Sequence, residues 1–272
     1  MSTTITVAFI SQFESEVHLA YQRQGSKLRG TVRTKNGLVG KDTTFQIAAK
    51  GSATQKSRHG DVPPMNQVHT NVTVTLEDWY AGDYVDNLDE LKINIDERNI
   101  IAASGAWALG RKTDDLITAA MDGTTNAVAS SSAALTKAKV LATLEDFGEN
   151  DVPDDGRWWV VGAQQWTDLL GISEFVNSDF IGMDALPFKG GMTAKSWLGF
   201  TWFMHSGLPT SGADRKTFAW HPSSMGHAIG ADVQTDITWQ GEKQAHFIVN
   251  RMSQGAVLID NAGVREVACT ES

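Results

Sequence analysis

Residues 96–121 have the sequence DERNIIAASGAWALGRKTDDLITAAM, in which apolar side chains recur every three or four positions. That period predicts an α-helix with one apolar face. Asp96 is a suitable N-cap, Glu97 adds a carboxylate to the first turn, and Asp122-Gly123 ends the pattern. At 1.5 Å per residue this helix is roughly 40 Å long. Gly105 is one of two internal glycines at which it can bend or approach another backbone closely.

A two-stranded ribbon is predicted before this helix. Thr43, Phe45 and Ile47 alternate with polar residues, and the same period continues through residues 68–76. The intervening segment, Lys50–Gln67, contains glycine, serine and proline but almost no apolar residue, so it has no core to join. We expect a long ribbon with a flexible, basic tip. Because an isolated ribbon is barely stable in water, it should lie on another surface.

The residues before the ribbon carry two further signals. Phe9–Tyr21 has apolar side chains spaced by three and four, which predicts a short amphipathic helix in an N-terminal arm. Asn36-Gly37 has the residues of a tight type I′ hairpin turn, although such pairs also occur in ordinary loops.

The chain after the long helix is predicted to be mixed. A linker and a second helix, which ends at Phe147, lead to Arg157–Leu170, whose pattern is typical of a strand followed by a helix, the basic unit of an α/β layer. After a glycine-rich stretch, Ser196–Phe203 is expected to form one buried aromatic strand. The last quarter is strand-like, with runs at 217–220, 233–239, 246–250, 256–259 and 264–268. The fold class is therefore α+β.

Composition excludes several classes of protein. The chain has 272 residues, 41% hydrophobic and 20% charged, which is enough apolar material for a core and argues against disorder. It has neither a membrane-spanning run nor an export signal, so membrane insertion and secretion are not expected. A single cysteine, Cys269, allows no internal disulfide. The formal charge of −9 disfavours nucleic acid as the primary ligand, because that binding requires clustered cations.

The net charge conceals two oppositely charged stretches. Arg23–Gly60 has nine cations and one anion, a formal charge of +8, whereas Glu77–Glu97 has eight anions and one cation, a formal charge of −7. One interpretation is two solvated faces, since exposed charges contribute little individually. The other is that one stretch contacts the other on a neighbouring copy of the chain. The predicted contact residues are a basic block of Arg29, Arg33, Lys35, Lys41, Lys50, Lys56 and Arg58, and an acidic block of Glu77, Asp78, Asp83, Asp86, Asp89, Glu90, Asp96 and Glu97.

No catalytic, metal or cofactor motif is found. Gly40-Lys41 is followed by Asp42, where a phosphate-binding loop needs serine or threonine. The histidines lack metal-ligand spacing. His221, His227 and Asp232 could meet a serine in a triad, but structural histidines are the better interpretation. The sequence therefore predicts a structural protein, without a catalytic site, metal or cofactor.

The order of these elements resembles the major capsid proteins of tailed bacteriophages with the Hong Kong 97-type fold. Local similarities are the strand and helix at Trp158–Leu170, the stretch Trp197-Leu198-Gly199-Phe200, and the ending Gly255–Asp260. The resemblance implies five parts: an N-terminal arm (1–25), an E-loop ribbon with return strands (26–95), the spine helix of the peripheral domain (96–122), an α/β axial domain (123–229), and C-terminal strands that return to the peripheral domain (230–272).

The resemblance also implies a function. Such a chain assembles with copies of itself into pentamers and hexamers of an icosahedral shell around double-stranded DNA, without sequence-specific binding. The expected partners include a portal and a decoration protein, with assembly in the host cytoplasm. Some relatives begin with a scaffolding segment, whereas this chain begins with the arm, which implies a separate scaffolding protein or a processed form. The alternatives are an encapsulin-like nanocompartment shell protein and a small-molecule α/β enzyme.

Overall fold

The computed structural model describes residues 23–86, 97–129, 131–176 and 194–271. Its helices are α1 (Glu97–Asp122), α2 (Lys137–Glu149), α3 (Ala163–Leu170) and α4 (Ser173–Val176). Its strands are β1 (Arg33–Lys35), β2 (Asp42–Ala48), β3 (His69–Thr75), β4 (Glu77–Asp86), β5 (Ala127–Val128), β6 (Arg157–Val161), β7 (Lys195–Trp197), β8 (Phe200–Met204), β9 (Thr210–Ser211), β10 (Asp214–Trp220), β11 (Met225–Gln240), β12 (Ala245–Leu258) and β13 (Val264–Thr270). Short 3₁₀ helices lie at Arg29–Thr31, Pro222–Ser224 and Asn261–Gly263.

The chain divides into two compact units. The smaller unit contains the described residues of Met1–Gly25, Trp79–Arg111 and Val233–Met252, and the larger unit contains the rest. Among the described residues, no helix is long and apolar enough to cross a membrane.

The larger unit is built on a sheet whose strand order is β5-β13-β10-β6-β8-β7, with β9 paired to β10. Strands β6 and β8 are parallel, and α3 follows β6 in the sequence. The predicted strand and helix at 157–170 are therefore confirmed.

Both faces of this sheet are buried, so successive residues of its central strands enter different cores. On one face Trp159 and Trp202 pack with Phe147 of α2. On the other face Val160 packs with Ile117 of α1. Covering a sheet on both sides removes its apolar surface from water, and this is the principal stabilising term of the unit.

The predicted ribbon is present. Strands β2 and β3 pair antiparallel over seven residues each, from Asp42 opposite Thr75 to Ala48 opposite His69. Phe45 is buried against Val74, Ala228 and Ile259, so the base of the ribbon does lie on another surface. Gly226 makes room for this contact, because a β-carbon there would lie 2.7 Å from the Phe45 ring.

A four-stranded sheet has the order β1-β11-β12-β4 and leaves β4 at one edge. In the smaller unit, Gly105 of α1 lies close to β12 and β4. A β-carbon at Gly105 would lie 2.2 Å from the Asn250 side chain and 3.5 Å from the Ala81 carbonyl oxygen. The expectation that this glycine permits close approach is confirmed.

The structure differs from the sequence prediction in its turns. The aromatic strand expected at 196–203 is a hairpin of β7 and β8, because Leu198 (φ 51°) and Gly199 (φ 78°) adopt left-handed conformations and reverse the chain. The strands expected at 246–250 and 256–259 are one 14-residue strand, β12. Asn36-Gly37 makes no hairpin, because β1 pairs with β11 in parallel.

The first part of the acidic stretch forms the ten-residue strand β4, within the segment expected to hold return strands. The terminal strand β13 pairs with β10 and β5 in the larger unit's sheet, and its Val264 packs with Ile117 and Met121 of α1. The amphipathic helix predicted at Phe9–Tyr21 lies outside the described residues.

Candidate interaction surfaces

Three members of the basic block lie on exposed ribbon surface. Lys41 precedes β2, and Lys56 and Arg58 belong to the segment between β2 and β3, almost all of which is exposed. Within the described part of the chain, none of these three cations forms an ion pair. They are therefore presented to solvent, and Lys56 and Arg58 lie on the tip that the sequence predicts to be basic.

The other four members contact their own chain. The Arg29 guanidinium donates to both carboxylate oxygens of Asp232, at 2.9 and 2.7 Å. Lys50 Nζ lies 2.8 Å from Asp151 Oδ2, in an exposed pair that holds the pKa of Asp151 below its ordinary value. Arg33 and Lys35 lie over the Phe45 ring, 5.8 and 4.5 Å from its centroid.

The acidic block is divided between β4 and α1. Glu77, Asp78, Asp83 and Asp86 belong to β4, and Glu97 is the first residue of α1. Asp89, Glu90 and Asp96 lie outside the described residues. The ion-pair partners of Arg29 and Lys50, Asp232 and Asp151, both come from outside this block.

One buried polar site in the larger unit was not predicted. Asp114 of α1 is fully buried and accepts from the Ser26 hydroxyl at 2.5 Å and from the backbone N–H groups of Lys27 and Leu28 at 3.1 and 3.0 Å. His205 Nε2 lies 3.0 Å from its other oxygen. This carboxylate therefore holds residues 26–28 against α1 and the end of β8.

The hydrogen bonds define the ionisation of this site. Gly207 N–H donates to His205 Nδ1, so the ring proton is on Nε2, which donates to Asp114. Burial raises the pKa of Asp114, but the bonds from His205, Ser26, Leu28 and Lys27 together bring that pKa below its ordinary value. The site is an ionised carboxylate surrounded by donors. Adjacent Asp114-Asp115 in a helical segment gave no sign of which carboxylate would be buried.

The three residues of the candidate triad have separate partners. His221 caps the 3₁₀ helix Pro222–Ser224 and contacts the Ser223 hydroxyl. His227 is buried and contacts the Gln254 amide oxygen, and burial lowers the pKa of its ring. Asp232 is engaged by Arg29. Among the described residues, no group of three or more His, Cys, Asp or Glu side chains is placed to hold a metal.

Known structures share this fold at low sequence identity. A chain of Mycobacterium phage Che8 is 18% identical with a TM-score of 0.76, covering 95% of this chain and 97% of that one. The capsid of cyanophage P-SCSP1u is 16% identical with a TM-score of 0.74, covering 97% and 94%. The capsid of a native GTA particle is 12% identical with a TM-score of 0.74, covering 98% of both chains. The Hong Kong 97-type fold is therefore confirmed.

The sequence itself identifies the family. No curated protein sequence matches the chain. The family model for phage capsid proteins, by contrast, matches residues 5–271, nearly the whole length. The chain belongs to the phage capsid protein family.

Proposed function

We propose that this chain is the major capsid protein of a tailed phage and forms the pentamers and hexamers of an icosahedral shell around double-stranded DNA. The family match over residues 5–271 carries this proposal. It gives the chain a structural role in a virion capsid and implies association with copies of itself. One structural relative, the native GTA particle capsid, was computed with C5 symmetry, which supports a fivefold arrangement.

The finer parts of the proposal follow from the resemblance. Residues 1–25 act as the arm, 26–95 as the E-loop ribbon with its return strands, 96–122 as the spine helix, 123–229 as the axial domain and 230–272 as C-terminal strands. The chain assembles in the host cytoplasm with a separate scaffolding protein and a portal, and a decoration protein can join the shell. It carries out no enzymatic step.

The negative charge of the chain supports a shell that encloses DNA without binding it specifically. A formal charge of −9 repels the phosphate backbone, so packed DNA is not held on the inner surface. An encapsulin-like shell would hold an enzyme cargo instead, and the phage family match disfavours it. Sedimentation velocity of the purified protein tests the proposal: capsomer and shell species are expected, and their absence at every concentration would contradict it.

The basic block is proposed to contact the acidic block of a neighbouring subunit. Lys56 and Arg58 are exposed on the ribbon, and Asp78 and Asp83 are exposed on β4. Closed shells need repeated head-to-tail contacts, and an extended ribbon lets one subunit reach another. The contact joins exposed charges, so it is screened over about 10 Å at 0.1 M salt.

Charge reversal on the ribbon tests this contact. Lys56→Glu combined with Arg58→Glu should lower the assembly yield about tenfold at low salt and flatten its dependence on salt, since attraction becomes repulsion. Yield is measured by light scattering and sedimentation between 50 and 500 mM NaCl. Lys195→Glu in β7 makes the same type of change outside both blocks and should assemble normally. Unchanged yield and salt dependence in the double variant would disprove the contact.

A further inference from the structure

The larger unit has an open cavity of about 540 Å³ beside the 3₁₀ helix Arg29–Thr31. Trp158 of β6 and Phe203 of β8 line it with aromatic rings, and Lys27, Gly30 and Met204 also line it. Small-molecule sites in proteins have volumes of roughly 300–1,000 Å³ and mostly apolar walls with a few polar groups. The cavity has both properties, and we call it the Trp158 cavity.

The aromatic wall of the cavity is partly accessible. Strands β6 and β8 pair in parallel with Val160 opposite Phe203, so Trp158 and Phe203 lie on the same face of the sheet. Their ring centroids are 5.9 Å apart and their planes are at 80°, an edge-to-face arrangement. Phe203 is only 8% exposed, whereas Trp158 is half-buried. The Trp158 ring is therefore the surface on which a flat apolar group can pack.

Lys27 gives the cavity a positive charge. It is the only charged residue among the described residues that line the cavity. Its ammonium group donates to the Met204 carbonyl oxygen at 3.4 Å, and within the described ranges it forms no ion pair. A hydrogen bond of this length is weak, so the ammonium group can bind a better acceptor.

The buried Asp114 carboxylate fixes the position of residue 27. The Lys27 backbone N–H donates to both Asp114 oxygens, at 3.1 and 3.2 Å, so the Lys27 side chain takes no part in holding the backbone. Asp114 is fully buried, and its oxygens already accept from the Ser26 hydroxyl and from His205. This carboxylate therefore does not compete with a ligand for the Lys27 ammonium group.

We propose that the Trp158 cavity binds a small aromatic carboxylate. The flat ring of the ligand packs on Trp158, and its carboxylate accepts from the Lys27 ammonium group. One lysine matches one negative charge, and a hydrogen bond between two charged groups is about twice as strong as one between neutral groups. Such a site goes beyond the shell function and does not depend on it. A ligand that binds only the folded chain also stabilises the larger unit by mass action.

Two probes that differ only in charge test the role of Lys27 in the full-length chain at neutral pH. Isothermal titration calorimetry should show that 2-naphthoate binds about tenfold more tightly than the neutral 2-naphthamide. Lys27→Met keeps the backbone bonds to Asp114, and it should weaken 2-naphthoate binding about tenfold without changing the affinity for 2-naphthamide. Lys41→Met removes an exposed lysine on the ribbon and should bind both probes as the wild type does.

Two further variants test the location of the ligand. A β-carbon at Gly30 would contact nothing within 4 Å, so Gly30→Leu can be accommodated and should block 2-naphthoate binding by filling the cavity. In NMR spectra, 2-naphthoate should shift the indole N–H signal that Trp158→Phe removes, and it should not shift the signal of the exposed Trp239. Thermal unfolding shows whether each variant is folded.

Several results would overturn the site. These are no binding of 2-naphthoate at concentrations up to about 1 mM, equal affinities for the two probes, and an unchanged affinity for 2-naphthoate in Lys27→Met. Binding that persists in Gly30→Leu, or a Trp158 signal that does not shift, would place the ligand elsewhere and would also overturn it. Shell formation is measured separately, so none of these results decides the proposed function.

Discussion

Asp114→Ala is expected to lower the free energy of unfolding of the larger unit by about 3–5 kcal/mol. The substitution removes the acceptor of four groups, the Ser26 hydroxyl, the N–H groups of Lys27 and Leu28, and His205 Nε2. Buried donors left without acceptors each carry a desolvation cost. Residues 26–28 should also detach from α1, which hydrogen exchange at these amides measures.

The loss of stability in Asp114→Ala is compared with the loss in a variant at an exposed carboxylate. Glu145→Ala on α2 removes an exposed acidic side chain and should change stability by less than about 0.5 kcal/mol. Urea unfolding of the dissociated subunit compares the two variants. A loss at Asp114 no larger than that at Glu145 would contradict the assigned role.

The Asp114 carboxylate makes the stability of the larger unit depend on pH in the acid range. The pKa of Asp114 is below its ordinary value of 3.8 in the folded chain, so protons bind the unfolded chain more readily. The stabilisation is therefore complete above pH about 4 and is lost as the pH falls through the folded-state pKa. Stability measured from pH 7 to pH 2 should decline less steeply in Asp114→Asn than in the wild type. Parallel curves of stability against pH for the two proteins would contradict this role of the Asp114 carboxylate.

Trp202→Ala is expected to have an effect of similar size, about 3–5 kcal/mol. Trp202 of β8 is fully buried and stacks on Trp159 of β6, with centroids 4.2 Å apart and ring planes 16° apart. Its indole N–H also donates to the Trp197 carbonyl oxygen at 3.1 Å. Truncation leaves a cavity in the core that Trp202 shares with Phe147 and Trp159, and it removes the stack.

A second tryptophan provides the comparison. Trp239 of β11 is 44% exposed, so Trp239→Ala should cost less than about 1 kcal/mol. If the two variants lost the same free energy of unfolding, burial would not determine the cost of removing a tryptophan side chain. Calorimetric unfolding of both variants gives the measurement.

The sequence predicted those elements whose residues have a clear period. The helix at 96–121, the ribbon around Phe45 and the strand and helix at 157–170 all follow from local spacing, and each is present. The exposed basic tip followed from composition alone, since Lys50–Gln67 has almost no apolar residue to bury.

The features that were missed depend on tertiary contacts. Leu198 is an unusual residue for a left-handed turn, so the hairpin of β7 and β8 had no turn signal. Nothing local separates Asp114 from Asp115, and only the positions of Ser26 and His205 select the buried one. The exposed and covered faces of β4 could not be assigned from the sequence, because Glu77–Asp86 looks like a run of charge until its pairing with β12 fixes which side chains are exposed.

Copies of this chain are proposed to build a closed shell. Electron microscopy of the purified protein at high concentration, alone and with its scaffolding protein, tests this assembly most directly. Icosahedral shells together with rings of five and six subunits are expected. A persistent monomer or dimer under both conditions would contradict it.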